Sequence, residues 1–175
     1  MVIWITGLSG SGKTSLSNAL FRLLKPRVPE LVLLDGDTIR AVFAHDLGYR
    51  EQDRVIQIKR LQKIAKVLSE QQLVVIVAAL YSHPDLFAWN RENFQNYFEI
   101  YLEISLDTAR RRDTKGLYAP GASPEGANVV GIDIPWHAPL NPDLVIDANK
   151  PVSPNTLARQ VAASIPKLAS LFEGA

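Results

Sequence analysis

The sequence contains no cysteine among its 175 residues. A disulfide framework and cysteine-based zinc sites are therefore excluded, and the absence fits a reducing compartment. An excess of charge is also lacking, because 19 Lys and Arg residues face 18 Asp and Glu residues for a formal net charge of +1. No general electrostatic field favours nucleic acid or an anionic membrane, so any attraction to anions must come from local clusters.

Long apolar runs are missing as well, since none approaches the roughly 20 residues that span a bilayer. The apolar start at residues 1–6 has neither a basic leader nor a cleavage site, so we do not expect a signal peptide. The three histidines, His45, His83 and His137, are far apart in the sequence and are interpreted as ordinary residues rather than metal ligands. Together these observations predict a cytoplasmic protein.

Hydrophobic residues make up 47% of the chain, and its length is that of one domain, so we expect a single domain over residues 1–175. Apolar runs and helical periodicity alternate along it. The predicted strands cover residues 2–6, 31–34, 73–80, 98–104 and 144–146, and the predicted helices cover residues 13–24, 51–71, 85–97, 107–112 and 153–172. Residues 113–142 have no clear period and are predicted to form a long loop. This alternation predicts an α/β fold with a mostly parallel five-stranded sheet, in which ligands bind beyond the carboxyl ends of the strands.

Residues 7–14 read GLSGSGKT and match the pattern G-x-x-x-x-G-K-[ST] at every position, between a predicted strand and a predicted helix. In such a P-loop, glycines let backbone N–H groups converge on phosphate oxygens, and the helix N-terminus adds partial positive charge. We expect Lys13 to reach the β- and γ-phosphates of ATP and Thr14 to offer its hydroxyl to Mg²⁺. The predicted ATP-binding residues here are Gly7, Ser9, Gly10, Ser11, Gly12, Lys13 and Thr14. The motif predicts a P-loop nucleoside-triphosphate-hydrolase-like three-layer fold with helices on both faces of the sheet.

The P-loop is shared by kinases, GTPases and ATP-driven modules. A GTPase needs Asn-Lys-x-Asp after a late strand, whereas residues 149–152 read Asn-Lys-Pro-Val and lack the aspartate. A small chain with a polar loop favours a kinase, in which residues 113–142 act as a lid that keeps water from the γ-phosphate. The alternative is a catalytically silent nucleotide-binding partner in a larger complex, but the intact Lys13, Thr14, Asp35 and Asp37 argue against it.

Two carboxylates follow the second predicted strand. Asp35 could hold Mg²⁺ through water, and Asp37 could orient or deprotonate the attacking hydroxyl. The plainer interpretation is a turn with a helix cap at Asp37. We expect Lys13, Asp35 and Asp37 to form the catalytic group.

Basic residues cluster near these carboxylates. Arg40 and Arg54 suit an anionic acceptor, because a guanidinium fork matches phosphate and sulfate oxygens. Arg60 could serve the same purpose or lie on a solvated helix face. Arg110–Arg112 open the lid, where they could neutralise charge during transfer or simply complement a helix dipole.

Six segments occur in an order that resembles the adenylylsulfate kinase (APS kinase) family, whose members make PAPS from ATP and APS. They are residues 7–14, 34–40, 47–49, 53–54, 112–118 and 131–135. The resemblance covers nearly the whole chain, from Val2 to about Asp147. It implies ATP and Mg²⁺ as donor and cofactor, with Asp37 acting on the 3′-hydroxyl of the acceptor and Arg112 on the ATP side. The implied acceptor-binding residues are Asp37, Arg40, Tyr49, Arg54, Gln57, Leu80, Ser82, Lys115, Gly116, Leu117 and Val129.

The sequence departs from the family pattern at the acceptor pocket. Gln57 replaces the usual Asn, Lys59 replaces an Arg, and residues 79–84 hold one residue more than the usual Ser-Phe-Ile-Ser-Pro. In the family two aromatic side chains sandwich the adenine of APS; Tyr49 could supply one face, but Val129 cannot supply the other. A base–aromatic stack is worth roughly 1–3 kcal/mol.

Two acceptors therefore stay open. APS is the first expectation, and the alternative is cytidine diphosphoramidate, the acceptor of a relative that acts in capsule modification, whose smaller pyrimidine suits a pocket with less aromatic area. We expect small nucleotide substrates as partners, no nucleic acid and no membrane. A homodimer is one option for the oligomeric state.

Overall fold

The structure, a computed structural model, describes residues 1–113, 116–118 and 128–171. Its sheet has five strands that all pair in parallel, in the order β2-β3-β1-β4-β5. The strands are β1 (Val2–Thr6), β2 (Leu31–Asp35), β3 (Val74–Ala79), β4 (Tyr97–Glu103) and β5 (Leu144–Asp147). The predicted five-stranded parallel sheet is confirmed, and every residue of its central strand, β1, is buried.

Seven helices connect and cover these strands in the described part of the chain. They are α1 (Lys13–Leu24), α2 (Gly36–Val42), α3 (Glu51–Glu70), α4 (Pro84–Asn93), α5 (Leu106–Arg111), α6 (Pro154–Ser164) and α7 (Pro166–Ala169). Helix α1 packs against α6, and α3 packs against α4. The crossover from β1 to β2 runs along the sheet in the opposite direction to those from β2 to β3 and β3 to β4. Right-handed crossovers therefore place α1 and the pair α3–α4 on opposite faces, which gives three layers.

Two predicted helices differ from those observed. The helix predicted over residues 85–97 is wrong at its end, because α4 stops at Asn93 and Phe94 is already extended, with φ −101° and ψ 118°. The single helix predicted over residues 153–172 is also wrong. Pro166 has no amide hydrogen and disfavours helical geometry at the residue before it, so Ile165 adopts φ −100° and ψ 110° and separates α6 from α7.

Helix α2 was not among the predicted helices, because seven residues are too few to display a helical period. It begins directly after β2 and carries Asp37 and Arg40. Its position places both side chains at the carboxyl edge of the sheet.

Part of the predicted loop packs against the body of the protein. Val130 and Ile134 are buried and form an isolated parallel bridge. Gly131 has φ +93°, and a Cβ there would lie 3.0 Å from Leu8 and 3.1 Å from Leu106. The return of the loop is thus anchored beside the P-loop. The described residues contain no helix long and apolar enough to cross a membrane.

Candidate active site

The loop between β1 and α1 is shaped by close packing and by positive φ angles. A Cβ on Gly7 would lie 2.6 Å from the carbonyl oxygen of Leu102, so only glycine fits there. Gly12 has φ 94° and directly precedes α1, which directs the first N–H groups of the helix into the loop. The Nζ of Lys13 donates to the carbonyl oxygens of Gly7 and Leu8, at 2.8 Å each. The ammonium group therefore lies against the loop.

A second strand end meets this loop at Asp35. The hydroxyl of Thr14 donates to Asp35 Oδ2 at 3.2 Å. The other oxygen, Oδ1, accepts from the backbone N–H groups of Asp37 and Thr38, at 3.0 and 3.2 Å. Asp35 is therefore the N-cap of α2, so the alternative of a cap at Asp37 is wrong, and Asp37 is exposed in the first turn.

The predicted acceptor side of the cleft is built around the ring of Tyr49, which is 55% exposed. The guanidinium carbons of Arg40 and Arg54 lie 4.9 and 5.6 Å from its ring centroid. Burial, and then the nearby charge of Arg40, lower the pKa of Arg54. Two cations held this close repel each other, so an anion placed between them would be favoured.

Backbone carbonyl groups hold both arginines in place. Arg40 Nη1 donates to the carbonyl oxygens of Leu47 and Gly48, at 3.2 and 3.0 Å. Arg54 donates from Nε to the carbonyl oxygen of Tyr49 at 3.0 Å and from Nη2 to that of Asn128 at 2.8 Å. The second bond ties the start of α3 to the return of the predicted lid.

Two buried polar side chains lie beneath this group. The hydroxyl of Tyr81 donates to Glu51 Oε1 at 2.7 Å, and burial followed by this hydrogen bond raises the pKa of Tyr81. Gln57 Nε2 donates to the carbonyl oxygen of Gly36 at 3.2 Å. Tyr81 was not predicted as a site residue, although it occupies the segment in which the sequence departs from the family pattern.

The other end of the cleft joins the start of the predicted lid to the segment after β5. Arg112 donates to the carbonyl oxygens of Ala148 and Asn149, at 2.6 and 3.2 Å. The hydroxyl of Tyr118 donates to the carbonyl oxygen of Ser9 at 3.2 Å, and its backbone N–H donates to Asp113 at 2.6 Å. These contacts attach the beginning of the predicted lid both to the P-loop and to the segment after β5.

One cleft of about 650 Å³ connects these parts. Most predicted site residues line it: Ser9, Gly10, Ser11, Gly12, Lys13, Thr14, Asp35, Asp37, Arg40, Tyr49, Arg54, Gln57, Leu80, Arg112 and Leu117. Sequence reasoning missed His45, Tyr81, Lys150, Val152, Pro154 and Leu157, which also line it. The last four follow β5, and the rule that ligands bind beyond strand ends could have indicated them.

Four other predicted site residues that the structure describes do not line this cleft: Gly7, Ser82, Gly116 and Val129. Ser82 is buried and donates to the carbonyl oxygen of His137 at 2.6 Å. Val129 is 7% exposed, and its N–H donates to Asp133 Oδ2 at 2.8 Å. Lys115, the remaining predicted acceptor residue, lies outside the described residues.

A parallel sheet, a phosphate-binding loop after its central strand and a paired hydroxyl and carboxylate beside that loop are the features of the P-loop kinase fold. The profile of the adenylylsulphate kinase family matches residues 1–147. The chain therefore belongs to the adenylylsulfate kinase family, as the sequence motifs predict, and is a phosphotransferase with an alcohol group as acceptor.

Three known proteins illustrate the similarity. The cytidine diphosphoramidate kinase of Campylobacter jejuni is 39% identical over 168 residues, which is 96% of this chain and 96% of that one. The adenylyl-sulfate kinase of Pseudomonas entomophila is 40% identical over 149 residues, covering 84% of this chain and 72% of that one. The APS kinase of Mycobacterium tuberculosis, solved with AMPPNP and APS, superposes with a TM-score of 0.82 at 32% identity, covering 93% of this chain and 95% of that one.

Proposed function

We propose that this protein transfers the γ-phosphoryl group of ATP to the 3′-hydroxyl of a nucleotide acceptor. The observation that carries the proposal is the contact of Thr14 with Asp35 at 3.2 Å, with Asp37 two residues further on. It brings the phosphate-binding loop and a candidate base together at the carboxyl edge of the sheet. The reaction belongs in the cytoplasm, where ATP is available, and one domain over residues 1–175 performs it.

Lys13 and the N–H groups at the start of α1 act on the phosphates. Their positive charges oppose the negative charge on the γ-phosphoryl oxygens during transfer. Thr14 and Asp35 would hold Mg²⁺ through oxygen atoms, which this ion prefers, with Asp35 acting through water. When bound, Mg²⁺ supplies charge neutralisation at the phosphates.

Asp37 acts on the acceptor. It is exposed to the cleft in the first turn of α2, within the electrostatic reach of Arg54. Its carboxylate accepts the proton of the 3′-hydroxyl, or orients that hydroxyl for attack in line with the leaving group.

APS is the first candidate acceptor. Arg40 and Arg54 form a fixed pair of guanidinium groups that matches the anionic linkage between phosphate and sulfate. The exposed ring of Tyr49 gives an adenine base one stacking face. The similarity of this chain to adenylyl-sulfate kinases over most of its length supports APS as the acceptor.

Cytidine diphosphoramidate is the second candidate, and a specific feature favours it. Val129 is aliphatic, is buried, and lies outside the walls of the cleft, so a second aromatic face for adenine is missing at that position. The similarity to the Campylobacter jejuni kinase also extends over 96% of both chains. The same arginine pair would hold the anionic diphosphoramidate, and one aromatic face serves a pyrimidine.

The test compares kcat/KM for APS, cytidine diphosphoramidate and a panel of cytidine and uridine nucleotides, with ADP release as the signal. The position of the new phosphate is identified by NMR. Release of ADP without a 3′-phosphorylated product from any acceptor would contradict the proposed function. The acceptor with the higher kcat/KM identifies which of the two candidates the protein uses.

The beginning of the lid carries a further part of the proposal. Arg112 lies against the segment after β5, beside Lys150 and Val152, where the adenine of ATP would bind. Residues 113–142 close over the two nucleotides and keep water from the γ-phosphate. A homodimer stays a prediction.

A further inference from the structure

Arg60 is the centre of a small cluster on α3 that the function above does not use. Its guanidinium group forms two bonds with Asp46, Nη1 to Oδ1 at 3.0 Å and Nη2 to Oδ2 at 2.8 Å. The same group stacks on Phe43, with its carbon 3.9 Å from the ring centroid. The side chain of Arg60 is only 17% exposed. The alternative of a solvated helix face therefore does not describe it.

A third contact links Arg60, through Gln57, to the turn that carries Asp37. Nη1 donates to Gln57 Oε1 at 3.3 Å. Because a guanidinium group can only donate, it fixes which end of the Gln57 amide faces it. The amide nitrogen must then face the other way, where it donates to the carbonyl oxygen of Gly36 at 3.2 Å.

The peptide unit that receives this bond joins Gly36 to Asp37. Its amide N–H is already held by the side chain of Asp35. Both polar atoms of the peptide unit that carries Asp37 are thus fixed by side chains, one from the end of β2 and one from α3. Gln57 is 4% exposed, so little room remains for its amide to turn over.

We propose that Arg60 is a positioning residue for phosphoryl transfer: through the amide of Gln57 it orients the peptide unit that carries Asp37 towards the acceptor. The proposal rests on the kinase function proposed above. Without Arg60 the amide of Gln57 can rotate, the bond to Gly36 is lost for part of the time, and Asp37 moves relative to the 3′-hydroxyl. Small displacements at this position are costly, because transfer requires the attacking oxygen close to the phosphorus and in line with it.

The experiment uses the full chain with Arg60→Met, Arg60→Lys and Gln57→Ala, and with Lys63→Met as the matched control on an exposed part of α3. In Arg60→Met we expect kcat to fall about 10- to 100-fold while the KM for ATP stays within about twofold. Arg60→Lys should be intermediate, because an ammonium group keeps the charge but not the fork. Adding Gln57→Ala to Arg60→Met should cost little more, since both changes break one chain of contacts.

A second measurement needs no substrate, so it separates failure of this proposal from failure of the proposed function. Hydrogen exchange of the Asp37 and Thr38 amides should be faster in Arg60→Met than in wild type and in Lys63→Met. If Arg60→Met lowers the melting temperature but leaves kcat, the acceptor KM and this exchange unchanged, Arg60 is only a structural residue. If exchange rises as expected in a protein without kinase activity, the positioning contact exists and the proposed function is wrong.

Discussion

Thr14 and Asp35, 21 residues apart in sequence, meet at 3.2 Å between the hydroxyl of one and Oδ2 of the other. The two oxygens of Asp35 have different partners: Oδ2 faces Thr14 and the cleft, and Oδ1 caps α2 through the amides of Asp37 and Thr38. One carboxylate therefore serves both a candidate metal site and the helix that carries Asp37.

The two tasks of Asp35 can be separated by substitution. Asparagine also caps helices well, so Asp35→Asn should keep nearly the stability of the wild type, whereas Asp35→Ala should lose about 1 kcal/mol. Both variants lack the charge near the metal, so both should require more Mg²⁺ for half-maximal activity. Chemical denaturation and Mg²⁺ titration of ADP release check the two effects. An unchanged Mg²⁺ requirement in Asp35→Asn would exclude the carboxylate from the metal site.

Lys13→Ala tests the phosphate cradle. The ammonium group contacts two carbonyl groups of its own loop and lies outside the apolar core, so its loss should leave the fold intact. We expect turnover to fall by at least about 100-fold, because charge stabilisation at the transferred group is lost. Lys63→Ala, an exposed change on α3, is the control. Activity above a tenth of wild type would exclude the assigned role of Lys13.

Asp37→Asn tests the acceptor role. The substitution removes the base while keeping the size of the side chain, so kcat should fall strongly and ATP binding should stay within a few-fold. Isothermal titration with a non-hydrolysable ATP analogue and steady-state kinetics give the two quantities. A loss confined to the KM for ATP would instead assign Asp37 to the metal.

The lid is tested by hydrogen exchange with and without both nucleotides. Amides of residues 113–130 should exchange more slowly in the presence of both ligands, because closure excludes water from this segment. Tyr118→Phe removes the hydroxyl that donates to Ser9 and should reduce that protection. Equal exchange in the two states would show that these residues do not form a lid.

Glu99 predicts a pH dependence of stability. It is 2% exposed on β4 beside Tyr97, Arg91 and Asp143, and burial raises its pKa above the ordinary value of 4.5. A raised carboxyl pKa contributes stability that is fully present below about pH 4.5 and is lost as the pH rises through the folded-state value. Glu99→Gln cannot titrate, so the free energy of unfolding of wild type relative to this variant should be greatest at pH 4 and decrease towards pH 7. Urea denaturation at both pH values measures it, and a constant difference would contradict the raised pKa.

The residues that sequence reasoning placed best are those with a local signal. The bounds of β1 and α1 follow from the pattern of residues 7–14, because Gly7 follows the end of the strand and Gly12 directly precedes the helix. Arg40 and Arg54 were predicted as acceptor-binding residues because a guanidinium group matches phosphate and sulfate oxygens. Their common contact with Tyr49 could not be, because it depends on the path of residues 43–50 between α2 and α3.

The errors have equally specific causes. Pro166 was visible in the sequence, but its effect on the residue before it was not taken into account. Lys150 and Val152 were missed as lining residues of the cleft, because residues 149–152 were considered only as a possible guanine-binding motif. The sequence of the predicted lid beyond Tyr118 has no hydrophobic periodicity from which a helix or strand could be predicted. Residues 119–127 lie outside the described part of the chain.

The pairing of β1 has a consequence for synthesis of the chain. Its partners, residues 75–79 of β3 and 97–101 of β4, follow it by 73 to 95 positions, as in the pairs Val2 with Val75 and Val2 with Tyr97. A nascent chain that has emerged only as far as α3 carries the whole phosphate-binding motif but neither neighbour of the strand that supports it. Because a ligand stabilises only the state that binds it, ATP cannot assist the early steps of folding on the ribosome. Nucleotide binding should instead report that the first hundred residues have assembled.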